Sequence, residues 1–60
     1  MSDLFEPTIL EMIATIEREI GMREVVYPRW VAAGKMTQKK ADREILLMKA
    51  VVANLQAQMP

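Results

Sequence analysis

Sixty residues with no Cys, no His, zero formal net charge and 52% hydrophobic composition exclude much before any motif is read. A chain this short hides only about 60% of its unfolded surface, so it needs a staple; without Cys or His, disulfides, thiolate metal sites and the usual neutral metal ligand are gone, and association between chains is left. Residues 1–30 carry six acids against three bases and residues 31–60 five bases against two acids, so −3 is followed by +3, a balance that suits antiparallel segments.

No apolar run approaches the roughly 18 residues that span a bilayer. The N-terminus lacks a basic start followed by an apolar core, so no signal peptide and a cytoplasmic location are expected. In the lead, Ser2 or Asp3 can cap a first turn with Pro7 early in it. Alternatively Pro7 marks the start, and Leu4 and Phe5 fold back on the helix.

From Thr8 onward apolar residues recur at Ile9, Ile13, Ile16 and Ile20, then Tyr27 and Trp30 or Val31. The steps of four, three, four, seven and three or four make a heptad seam. Met12, Met22 and Val26 widen it on one side, while Leu10 and Val25 lie off it. Arg23 falls where the seam expects an apolar residue. Its stem packs while its head reaches solvent, or it is buried against Glu19 or Glu44; the snorkelling reading is favoured. Gly21 marks a close helix crossing or is merely tolerated, at about 1 kcal/mol relative to Ala.

Pro28 either kinks the first helix or ends it. The continuing inward spacing of Tyr27, Trp30 and Val31 favours a kink, with the helix running from about residue 8 to 33. Gly34 then supplies a left-handed stop, Lys35 and Met36 turn the chain, and Thr37 caps the next helix, with Met36 packing on Ala41 as a weak staple. So short a connection makes the helices antiparallel neighbours.

Tyr27 and Trp30 read either as core plugs or as a partner-binding hot spot, with Arg29 between them. Residues 19–37, which include Tyr27-Pro28-Arg29-Trp30-Val31 and Gly34-Lys35-Met36, resemble the signature of very short proteins of temperate phages and prophages of proteobacteria. The pattern downstream, with Ala41, Asp42, Glu44, Ile45 and Met48, is similar as well, so that the likeness covers roughly residues 16–52. It implies a helical dimer like the phage anti-activators of quorum sensing. These bind the DNA-binding domain of a LuxR-type transcription regulator and restrain a pilus-assembly ATPase. Only this general mode carries over, without residue-by-residue correspondence.

In the second helix, expected over residues 38–58, Ala41, Ile45, Met48, Val52, Leu55 and Met59 step four, three, four, three, four. Leu47 and Val51 add a neighbouring stripe, giving an apolar arc of about 160° at 100° per residue, wider than one partner helix covers. Leu46 lies outside it. Most of the six Met residues are expected in the core, with Met12, Met22 and Met36 the more exposed, and the last turn before Pro60 is expected to fray.

The expected fold is therefore all-α, an antiparallel helical hairpin that dimerises into a four-helix bundle. Its core and dimer surface draw on Ile13, Ile16, Ile20, Ile45, Met48, Val52 and Leu55. The expected partner-binding residues are Tyr27, Arg29, Trp30, Lys35, Lys39 and Arg43. The dispersed carboxylates, with Glu17 and Glu19 on different helix faces, and the lack of a base for any Ser or Thr nucleophile point away from an enzyme. No cofactor or metal is expected. Lys35, Lys39, Lys40 and Arg43, with Arg29 nearby, form a basic tip that is either a solvated turn or a contact for phosphates or an acidic protein. A DNA-reading helix-turn-helix fits poorly, because a supporting third helix is missing, so nucleic acid is the lesser alternative beside a phage structural or assembly role.

Overall fold

The computed structural model describes residues 6–59, so the expected cap at Ser2 or Asp3, the folding back of Leu4 and Phe5, and the end at Pro60 lie outside the described residues. Two helices, α1 (Ile9–Ala32) and α2 (Gln38–Ala57), pack side by side as an all-helical hairpin, with no strand among the described residues.

Both helices begin at a threonine. The Thr8 hydroxyl accepts from the Glu11 N–H at 3.1 Å, and the Glu11 carboxylate accepts from the Thr8 N–H at 3.1 Å. That reciprocal pair satisfies two amides that α1 leaves without helical partners. Pro7 therefore precedes the cap instead of sitting in the first turn. The Thr37 hydroxyl accepts from the Lys40 N–H at 3.1 Å, and Lys40 has no carboxylate with which to complete the box.

Pro28 lies inside α1, which continues through it to Ala32. The helix stops one turn later through paired bonds: Lys35 N–H to the Trp30 carbonyl at 2.9 Å and Gly34 N–H to the Val31 carbonyl at 3.1 Å. Gly34 has φ +73°, the left-handed conformation that this cap requires and that a Cβ disfavours.

Ile13, Ile20 and Val52 form the buried centre, with Ile9, Ile16, Met48 and Leu55 half-buried around it. Towards the tip, Tyr27 and Ala41 are buried as well. Several expectations need correction. Ile45 is half-buried, lines a groove with Tyr27 and Ala41, and stands outside the central cluster. Met59 lies beyond the end of α2, where helical periodicity no longer aims it at the seam, and it is exposed. No Met is buried among the described residues: Met22 and Met59 are exposed, and Met12, Met36 and Met48 are half-buried. Gly21 marks no close crossing, since a Cβ there meets nothing within 4 Å among the described residues.

The hairpin measures 48 × 21 × 12 Å, with a radius of gyration of 14.4 Å. A compact domain of this length would have a radius of about 10 Å. The shortest dimension is one helix diameter, so the described chain is a single layer. Stable domains enclose their apolar surface between two layers, and a lone layer leaves both faces open.

Candidate functional site

The surface divides into a tip and two long faces. At the tip, Tyr27 is 8% exposed and Trp30 45% exposed, with ring centroids 5.8 Å apart and planes tilted by 38°. The two aromatics thus part company. Tyr27 stays on the seam as a core plug and is withdrawn from the partner-binding set. Trp30 sits about 60° round the helix and lies on the flank, while half-buried Val31 continues the seam.

The expected basic residues Arg29, Lys35, Lys39 and Arg43 are all exposed, as is Lys40, and none has a carboxylate within ion-pair distance among the described residues. They do not converge. Arg29 follows buried Tyr27 by two residues, and Arg43 follows buried Ala41 by two, so each lies on the back of its own helix, at opposite edges of the layer. Lys39 and Lys40 occupy the first turn of α2, which holds no acid, and reinforce the positive end of the helix dipole instead of offsetting it.

One long face, the broad face, is defined by a shallow groove that brings Met12, Thr15 and Ile16 of α1 beside Val51 and Leu55 of α2. Helical spacing extends it to Val26 and Trp30 on α1 and to Leu47 on α2. Met22, Val26, Trp30 and Tyr27 surround a further hollow with Glu19 and Arg23. The Arg23 guanidinium pairs with the Glu19 carboxylate, both half-exposed. That hydrogen bond raises the Arg23 pKa; burial opposes it, and the Tyr27 hydroxyl acts in the same direction as Glu19. Arg23 thus keeps its head at the surface, and the counter-charge is Glu19, not Glu44.

The opposite face carries a groove between Tyr27 and Pro28 on one side and Ala41, Asp42, Ile45 and Leu46 on the other. Below it Lys49 reaches Glu24 across the two helices at 3.8 Å, with both side chains more than half exposed. This is the only ion pair linking the helices among the described residues, so the −3/+3 polarity is hardly converted into contacts; such a pair is worth at most about 1 kcal/mol.

No family model, curated protein or solved structure matches the chain. Among the described residues no helix is long and apolar enough to cross a membrane, and no group of three or more Asp and Glu is placed to hold a metal ion. Sequence reasoning recognised Met12, Met22 and Val26 as one stripe and Leu47 and Val51 as another. It missed that both stripes line the same face, which no periodicity within a single helix can reveal.

Proposed function

We propose that this protein is a non-catalytic interaction module of phage type: a helical hairpin that pairs with a second copy in a four-helix bundle and captures a bacterial host protein in the cytoplasm. The observation that carries this reading is a layer one helix thick, 12 Å, that leaves large apolar side chains exposed on both sides, Met22, Trp30, Leu47 and Val51 on one and Leu10, Val25 and Leu46 on or towards the other. A patch of that kind rimmed by charge is a protein-binding surface. Two open faces suit two occupants, a second copy and a target.

The resemblance of the Tyr27-Pro28-Arg29-Trp30-Val31 block makes the DNA-binding domain of a LuxR-type regulator the target of choice, held so that it releases DNA. The test is titration of the protein into a preformed complex of such a domain with its operator. Release of the DNA, with a stoichiometric protein–protein complex in sedimentation, is expected. An undisturbed DNA complex at micromolar protein overturns this target. The exposed, unpaired Lys35, Lys39, Lys40 and Arg43 support a second reading, direct binding to nucleic acid. A gel shift that fades steeply with salt would favour it.

A further inference from the structure

The geometry points to a second copy seated on the broad face in inverted orientation, about a two-fold axis that crosses the hairpin at the level of Gly21 and Lys49, with the two tips at opposite ends. This rests on the dimer reading above and adds its surface, symmetry and register.

The flank of α1 on this face is Met12, Ile16, Glu19, Arg23, Val26, Trp30, and helical spacing from Val51 makes the flank of α2 Lys40, Glu44, Leu47, Val51, Asn54, Gln58. Both run in steps of four, three, four, three, four, so each stripe superposes on its own reverse. Reversing the α1 stripe sets Met12 against the second copy's Trp30, Ile16 against its Val26, and Glu19 against its Arg23. Reversing the α2 stripe sets Leu47 against the second copy's Val51, Glu44 against its Asn54, and Lys40 against its Gln58. Apolar meets apolar, opposite charges meet, and each remaining charge meets an amide. A two-fold axis requires such self-complementarity of a single patch.

One axis serves both helices only if the two stripe centres lie at the same height, and they do so to within about one turn. Gly21 and Lys49 share a hollow with Ile20 and Val52, and Lys49 pairs with Glu24 one turn away.

The competing arrangement, with both tips at one end, lays α1 on the second copy's α2. It sets Met12 against Gln58, Ile16 against Asn54, Glu19 against Val51, Arg23 against Leu47, Val26 against Glu44 and Trp30 against Lys40. Every apolar side chain then faces a polar one, and the charges are desolvated without partners. It also gathers Arg29, Lys35, Lys39, Lys40 and Arg43 of both copies at one pole, where like charges repel. The inverted dimer instead holds the basic tips apart and leaves the grooves beside Pro28, Asp42 and Leu46 outward for the target.

A nitroxide on Lys35→Cys tests the orientation, since the chain has no other Cys. Pulsed dipolar spectroscopy should give a tip-to-tip distance of about 40 Å, twice the helical rise between residue 21 and the turn. A distance under about 20 Å, two interaxial spacings, overturns the inverted arrangement while leaving a dimer. Absence of any dipolar distance, with a monomer in sedimentation, overturns both this proposal and the dimer reading.

The register is tested by Glu19→Arg and Arg23→Glu. Each variant alone should dimerise roughly tenfold more weakly, because its charges face like charges across the axis, and a mixture of the two should form the heterodimer preferentially. Any strain within each chain is the same in homodimer and heterodimer, so random mixing overturns the register.

Discussion

The two long faces of this hairpin are built from the same two helices and flank the same seam, yet they are finished differently. The opposite face crosses the seam with the Lys49–Glu24 pair and spaces Glu17, Glu24 and Asp42 among its apolar residues. The broad face carries Met12, Ile16, Val26 and Trp30 beside Leu47 and Val51, and its only ion pair among the described residues, Arg23 with Glu19, lies along one helix and not across the two. Both faces leave apolar side chains uncovered, and among the described residues the broad face has no ion pair across the seam. The difference supports the dimer proposed above, in which the hairpin seam is half of a core.

The strongest way to break the comparison is to remove what both faces share. Val52→Asp puts an unpaired charge into the buried centre and should cost ~3 kcal/mol or more, abolishing helicity in circular dichroism. Next, Val51→Glu on the broad face should convert the proposed dimer to monomer in sedimentation, whereas Leu46→Glu on the opposite face should leave it intact. Equal behaviour of the two variants removes the distinction between the faces.

Smaller effects sharpen it. Gly34→Val forces a β-branched residue to φ +73° and should cost about 1–2 kcal/mol in denaturant unfolding, with both faces affected alike. Gly21→Ala meets no neighbour and should stabilise the helix by about 1 kcal/mol without weakening the dimer, since Gly21 lies away from the broad face. Smallest is Lys40→Glu, which completes the capping box begun by Thr37 and offsets the helix dipole for ~0.5 kcal/mol, read as a raised midpoint. If the basic tip contacts a target, the same change should weaken that binding.

Much of the hairpin was legible along the chain because its signals are local. The isoleucine seam of α1, the left-handed stop at Gly34 and the cap at Thr37 each depend on a few neighbouring residues. The Thr8…Glu11 capping box is equally local, a Thr followed three residues later by a Glu. Tyr27 and Trp30 were harder. They stand three residues apart, so a small rotation decides which one enters the seam, and only the packing of α1 on α2 places Tyr27 inside. The basic tip misled in the opposite direction, because nearness in sequence brings together charges that the two helix backs hold apart.

What the sequence alone determined is two amphipathic helices, where each begins and stops, and a turn too short for anything but an antiparallel pair. These follow from backbone hydrogen bonding and periodicity within a few turns. Only the tertiary structure decided that the side stripes of α1 and α2 fall on one face, at one height, and that the layer is 12 Å thick. That outcome depends on how one helix rolls and slides against the other, a relation set by the interlocking of Ile13, Ile20 and Val52 and written in neither helix by itself.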